Sequence, residues 1–435
     1  MKSDLDIAIR SQNFRARITD TPRFHWGVAV FLLLIQQSAF VAIPLIMADT
    51  SLRGVENPYN TAGVAMSAAL LIICCIPLSK QIYVLISFNR SAIFYTLIVL
   101  SSTIWSIHPD LSIRRGIGYI ITIFVAFYVS IRFSPEERMR VLSWSFAVSA
   151  FGSLLFVAVF PQYGIMHGID DTGDLEGNWR GVFTHKNPFG FVMAAAVFTE
   201  LYLIALQNGR LGWRYLNISV FFVLVILSRS TTALLTSTFY ILCTCIYLIW
   251  KRNRIIATCI FILFVSVLCM VLMFFFVDPQ FMFSMLGKDP SLTGRTDLWP
   301  LVIELIEQKP WLGWGYRAMW LPDDVITQRV DDLTGNWGVP SAHNVFLEVA
   351  LELGLVGLFA LLIIIVIAFW RGLRCCRIGV LPLGWYSLVF FIGSTLEGLT
   401  IETLGQNQQI EWVVFNILSF TCGQSLMSKR RNLTS

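Results

Sequence analysis

Residues 353–370, LGLVGLFALLIIIVIAFW, contain no charged side chain, and the basic run RGLRCCR follows at 371–377. An α-helix rises 1.5 Å per residue, so about 20 such residues cross the roughly 30 Å hydrocarbon core of a bilayer. Lipid offers no hydrogen bonds to the backbone, and a helix satisfies its own N–H and C=O groups. Arginines just beyond one end of such a helix favour the cytoplasmic side. This stretch therefore reads as a spanning helix whose C-terminal end lies inside the cell.

The pattern recurs in both directions along the chain. Uncharged stretches occur at 24–48, 57–79, 91–109, 116–131, 141–169, 187–199, 215–228, 230–250, 255–277, 353–370, 378–396 and 412–428. Those at 116–131, 187–199 and 215–228 are short and need flanking residues to span. The 187–199 run continues past Glu200 into apolar 201–206, and 81–89 is long enough only for a dip into the interface. Composition agrees: of 435 residues, 56% are hydrophobic and 14% charged, against about 25% charged in soluble domains. Mean hydropathy is +0.68. An ordinary soluble enzyme and a disordered chain are both excluded.

With the N-terminus placed inside and the spans alternating, 21 of the 32 Lys and Arg residues fall on inside segments, each of which carries at least two. The twelve-span arrangement with both ends cytoplasmic is self-consistent, and removing one span would invert half the loops. The expected organisation is an N-terminal tail (1–23), spans one to nine (24–277) with an outer loop at 161–186, a large outer loop (278–344), spans ten to twelve (345–428) and a short tail (429–435). The first apolar run has no small-residue cleavage site and reads as a retained span. The net charge of +5 follows from the basic inner loops and requires no nucleic-acid partner. None of the nine cysteines lies in the long outer loops, and no spacing matches a zinc site.

The large loop is too long for an idle connector. Leu298, Leu301, Val302, Leu305 and Ile306 recur at helical spacing, with Thr296 and Asp297 as caps and Pro300 in the first turn. Such a helix lies on the outer membrane face or over a cavity, or else packs against the bundle.

Polar residues at the membrane boundary are costly and point to function. Asn178-Trp179-Arg180-Gly181-Val182-Phe183-Thr184-His185-Lys186-Asn187 sets two cations and a histidine at the mouth of the sixth span, with Gly177 and Gly181 allowing a tight backbone. Ser228-Arg229-Ser230-Thr231-Thr232 is the entire connection between spans seven and eight; its arginine reaches either lipid headgroups or a ligand. Gly294-Arg295-Thr296-Asp297 opens the loop helix. Trp311-Leu312-Gly313-Trp314-Gly315-Tyr316 is an aromatic and glycine turn. His343-Asn344 leads into span ten, with Leu347 and Glu348 expected on the histidine's helical face. Two arginines and a histidine on one side suit a phosphate-bearing substrate: arginine donates in a fork and stays charged, and histidine is a base near neutral pH. Asp174-Leu175-Glu176 could hold a cation. Glu348 and Glu352, one turn apart, could be a carboxylate pair, could hold a neighbouring arginine, or could orient His343.

These pieces, in this order, resemble the O-antigen ligase and polymerase superfamily. The matching residues are Arg180-Gly181 with His185-Lys186-Asn187, Ser228-Arg229-Ser230, Gly294-Arg295-Thr296-Asp297-Leu298-Trp299, Pro310-Trp311-Leu312-Gly313-Trp314-Gly315, and His343-Asn344 with Leu347-Glu348 and Leu353-Gly354-Leu355-Val356-Gly357. Within the superfamily the chain looks most like the exopolysaccharide polymerases of the succinoglycan type. The resemblance implies an all-α polytopic membrane glycosyltransferase of the GT-C-like kind in the bacterial inner membrane. It implies transfer of glycan from undecaprenyl pyrophosphate to a sugar hydroxyl on the periplasmic face, with inversion and without metal or other cofactor. By the same resemblance His343 is the general base, and Arg229 and Arg295 stabilise the leaving pyrophosphate. Arg180, Lys186, His185, Asn187, Asn344 and Glu348 bind substrate. Donor and acceptor are both expected to be lipid-linked oligosaccharides, with a flippase and a chain-length regulator as partners. A ligase acting on a lipid or protein acceptor stays open beside the polymerase. A transporter is the reading from another class, although no internal repeat is visible and the ionisable residues gather at the outer face.

Overall fold

The computed structural model describes residues 23–40, 43–47, 58–170, 173–206, 211–277, 295–321, 325–333 and 341–432. Helices dominate. In chain order they are α1 (Arg23–Gln36), α2 (Ile43–Met47), α3 (Pro58–Cys75), α4 (Ser79–Phe88), α5 (Arg90–Ser101), α6 (Pro109–Arg132), α7 (Pro135–Val159) and α8 (Pro161–Gly164). They continue with α9 (Lys186–Ala205), α10 (Leu211–Ser228), α11 (Thr231–Arg252), α12 (Arg254–Val277), α13 (Arg295–Gln308), α14 (Val325–Leu333), α15 (Val345–Arg377), α16 (Leu381–Glu397) and α17 (Ile410–Asn432). Among the described residues one small hairpin departs from the all-helical expectation: β1 (Ile169–Asp170) pairs antiparallel with β2 (Gly173–Asp174).

Each of the twelve apolar stretches holds a helix. By length and composition, six helices among the described residues can cross a membrane: Pro58–Phe88, Pro109–Arg132, Pro135–Val159, Lys186–Ala205, Thr231–Arg252 and Val345–Arg377. Several boundaries differ from the expected ones, among them the 24–48 and 91–109 stretches, whose helices end at Gln36 and Ser101. The 141–169 stretch overruns its helix, which ends at Val159. The 81–89 stretch is no separate dip, because α3 continues into α4 through a single 3-10 turn, Ile76–Leu78, that contains Pro77. Proline lacks the N–H that the ladder needs there.

Local chemistry sets several starts. Ser134 caps α7 by accepting the Glu137 N–H, while the Glu137 carboxylate accepts the Ser134 N–H and Pro135 fills the first helical position. The middle of the bundle is α9, nearly all of whose apolar window is buried. Its Gly190 lets the α10–α11 turn approach so closely that a Cβ there would lie 2.8 Å from Ser228 Oγ. Small residues drive such packing in lipid, where apolar burial alone gives no preference for protein over acyl chains. The outward faces carry Phe94, Trp144, Phe151, Leu155, Phe359 and Val366, a surface suited to acyl chains.

The helix that opened the sequence reading is broken. At Gly354 the backbone of α15 turns to φ 65° and ψ −170°, a region open essentially to glycine alone. The loop after α13 threads into the break. The N–H groups of Trp314 and Gly315 donate to the carbonyls of Leu351 and Glu352, and those of Leu355 and Val356 donate to Pro310 and Trp311. The backbone groups that a break would orphan are thus satisfied by a second segment, as membrane depth requires. Trp105 Nε1 closes the far side of the loop by donating to Leu312 O at 2.7 Å.

Helix α13 packs against the start of α15. Leu298, Val302 and Leu305 share a core with Met319, Trp320, Val330, Ala342 and Leu351, so of the two readings of this helix the structure takes packing against the bundle. Thr296 and Asp297 already lie inside it and are not its N-cap, and Pro300 is interior rather than in the first turn.

Candidate active site

His343 sits at φ 50° immediately before Asn344, which caps α15 by accepting the N–H groups of Phe346 and Leu347. It therefore precedes the helix instead of sharing a helical face with Leu347 and Glu348. A left-handed backbone costs a residue with a Cβ about 1–2 kcal/mol, and persists where the surroundings over-determine it. Here both flanking peptide groups are tied. Ala342 N donates to Glu348 Oε2 at 2.6 Å, and Trp299 Nε1 of α13 donates to Ala342 O at 3.0 Å. His343 N donates to Ser341 Oγ at 3.3 Å, and that hydroxyl donates to Glu402 at 2.9 Å. Val345 N donates to Gly398 O at 2.7 Å.

Glu348 and Glu352 are both buried. Glu348 also accepts from Trp320 Nε1 at 2.8 Å, so its two oxygens tie the residue before the histidine to the Trp320 segment. Glu352 accepts from Gln406 Nε2 at 3.0 Å and faces Arg317. Burial pulls the Arg317 guanidinium down, but the carboxylates of Glu352, Glu402 and Glu348 and the Tyr316 phenol outweigh it and leave the group above its ordinary value. Arg317, also at φ 50°, is the cation that the sequence reading missed. In sequence it is a lone arginine after an aromatic turn, and only the fold sets it beside the glutamates of α15. The glutamates fill all three roles open to them: Glu352 faces the arginine, Glu348 holds the loop that carries His343, and the two side chains are paired through a hydrogen bond.

Arg229 occupies the tight α10–α11 turn, also at φ 50°. It is exposed, and its Nη1 donates to Glu176 O at 3.1 Å. Trp179 N donates to Leu227 O, which docks the 161–186 loop onto the same turn. The loop is fixed internally by Arg180, whose Nε donates to Tyr163 O at 2.8 Å, and by positive φ at Gly177 and Gly181. His185 Nδ1 accepts from Asn187 N at 3.3 Å and caps α9, which Lys186 begins. Glu176, one of the cation-binding candidates of the sequence, pairs with His167 Nδ1 at 2.9 Å; that bond and the Gly168 N–H hold its carboxyl below the usual range. The Asp174 side chain lies outside the described residues.

The arginine turn and the histidine turn meet at one place. Thr232, three residues after Arg229, accepts from Thr400 Oγ1 at 3.4 Å. The same 397–400 turn receives Val345 N at Gly398 O and the Asn344 side-chain amide at Leu399 O. Arg295 stands on the third element at this end, four residues before the Trp299 that grips Ala342. Its side chain, with those of Thr296 and Asp297, lies outside the described residues, as does Gly294.

Residues 216–362 match the model of the O-antigen ligase family. The chain is 27% identical over 297 residues to the exopolysaccharide production protein ExoQ of Rhizobium meliloti (strain 1021), in an alignment covering 64% of each chain. It thus matches a little under two-thirds of that relative's length. Both findings support an ExoQ-like place in the O-antigen ligase and polymerase superfamily, and Arg229, Arg295 and His343 all fall inside the family match.

Proposed function

From this similarity and the site's geometry, we propose that the chain is a twelve-span membrane glycosyltransferase that polymerises exopolysaccharide repeat units on the periplasmic face of the inner membrane. The donor is a glycan on undecaprenyl pyrophosphate, and the acceptor is a sugar hydroxyl of a second lipid-linked chain. The supporting observation is the convergence of the Arg229 turn, the Arg295 helix and the His343 turn at one end of the bundle.

The chemistry follows from those groups. A ring nitrogen of His343 takes the acceptor hydroxyl proton as the oxygen attacks the anomeric carbon. The bond from that carbon to the phosphate oxygen breaks, the pyrophosphate leaves with the electron pair, and the anomeric configuration inverts. Negative charge grows on the leaving group, so fixed arginines stabilise the transition state more than the substrate. General-base assistance typically contributes 10²–10⁴-fold.

The test is reconstitution of the purified protein with the lipid-pyrophosphate-linked repeat unit as sole glycan, in the presence of a chelator. We expect a ladder of repeat multiples that disappears with His343→Ala. Transfer that appears only when a second lipid or protein acceptor is added would make the chain a ligase. Movement of the lipid-linked unit across a membrane with no glycan transfer would replace the enzyme by a transporter.

A further inference from the structure

At the far end of α15 from His343 lies a second charged site that the glycosyl transfer does not use. Arg371 follows the break at Gly354 by 17 positions, about 25 Å of helix at 1.5 Å per residue. There a cavity of about 630 Å³ opens between α4, the end of α15 and the end of α17, lined by Phe88, Trp370, Arg371, Arg374, Ile378, Gly423, Leu426, Met427 and Lys429. Three of these are cations, and among the described residues none of the lining is acidic.

The arginine at its base is built in. Arg371 Nη1 donates to Asn89 Oδ1 at 2.6 Å and to Ser419 Oγ at 3.2 Å, and Nη2 donates to Phe88 O at 2.8 Å. Those acceptors are neutral, so they orient the guanidinium without cancelling its charge. Gly423 leaves room for it: a Cβ there would already lie 3.4 Å from Arg371 Cζ. Arg374 stacks on Trp370 with 4.9 Å from Cζ to the ring centroid, and Lys429 donates to Ile378 O. The remaining wall is apolar, and Phe88 and Trp370 stay half exposed.

We propose that this cavity binds an anionic phospholipid, its phosphate among Arg371, Arg374 and Lys429 and an acyl chain along Phe88, Ile378, Leu426 and Met427. Trp370 marks headgroup depth, where tryptophan is favoured. Basic pockets between helices on the anionic leaflet recognise such headgroups. A free phosphate would use the cations but would leave the apolar wall without a partner, which is why the lipid is the preferred source of the anion.

The experiment follows thermal unfolding of the full-length protein in neutral detergent during titration with phosphatidylglycerol, phosphatidylcholine or inorganic phosphate. Phosphatidylglycerol is expected to raise the midpoint saturably, with the other two nearly without effect. With Arg374→Glu and Lys429→Glu together, the lipid concentration giving half the shift should rise roughly tenfold or more. An equal shift with phosphatidylcholine, an equal shift with inorganic phosphate, or an unchanged titration in the double variant would each overturn the proposal. If the charge reversal prevents folding, Arg374→Gln with Lys429→Gln takes its place. The phosphatidylglycerol retained by each protein is then counted by native mass spectrometry: loss in the variant supports the site and equal retention refutes it.

Discussion

Arg229 and His343 share an unusual backbone as well as a place in the motif order: both have φ near 50°. Glycine would occupy either position without strain. In the proposed mechanism the exposed arginine of this turn, with one N–H spent on Glu176 O, acts through its charge. Arg229→Gly should therefore fold within about 1 kcal/mol of the parent, because relief of strain offsets the entropy gained by the unfolded chain. Its turnover should fall about 100-fold or more, the usual loss when one fixed donor to a developing anion is removed. Arg229→Lys keeps the charge but not the fork, and should also remain far below the parent. Turnover assays beside melting curves separate the two effects; near-parental turnover in the lysine variant would remove bidentate binding from the mechanism. These two positions were conspicuous in the sequence, an arginine in a tight turn between apolar runs and a histidine just ahead of another. Arg317 was not, since its meaning comes from Glu352, thirty-five positions on, and from Glu402, further still.

Sequence patterning located the helices well, and for a physical reason. The cost of leaving polar groups in lipid accumulates residue by residue, so a span is visible in composition alone. The break in α15 was invisible to that reading, because hydropathy does not sense φ and ψ: Leu353-Gly354-Leu355 reads as unbroken apolar helix. The aromatic turn at 311–316 could be seen as a turn, but its partner could not. That partner is the gap in α15, filled strand-like by four backbone hydrogen bonds, and it frames the segment that carries Glu348 and Glu352. A Cβ at Gly354 would lie 2.2 Å from the Trp311 backbone and would hold φ 65° against its own sterics. Backbone cannot rotate away as a side chain can, so Gly354→Ala should cost more than the 1–3 kcal/mol of the strained conformation by itself. We expect little folded protein in the membrane and a markedly lower melting midpoint. Gly27→Ala is the control: it faces open space in the middle of α1 and should be neutral or stabilising by about 0.5–1 kcal/mol. If both variants melt alike, the glycine does not dictate the break.

The whole molecule has two chemically different ends. One gathers Arg229, Arg317, His343 and a set of buried carboxylates around the 397–409 connection; the other carries Arg371, Arg374 and Lys429 without lining acids. A bilayer imposes such an asymmetry on a bundle, since unpaired cations are held on the cytoplasmic side while a balanced polar network can face either way. The long α15 fixes the two ends relative to each other, so orientation is a single unknown, and the proposed alternation of twelve spans would give it one value. Alkaline phosphatase, active only outside the cytoplasm, reads that value when fused after successive truncation points. Activity is expected after Gly168 and after Ser230, and none after Asn253 or Arg377. The Ser230 and Asn253 points bracket α11 alone, so the change between them tests that one crossing. The Arg377 point then tests whether α12 and α15 add an even number of crossings across the large loop. Activity after Arg377 with none after Asn253 would mean that only one of those helices crosses: without α12 the proposed phospholipid cavity lies on the outer face and His343 inside, and without α15 both lie outside.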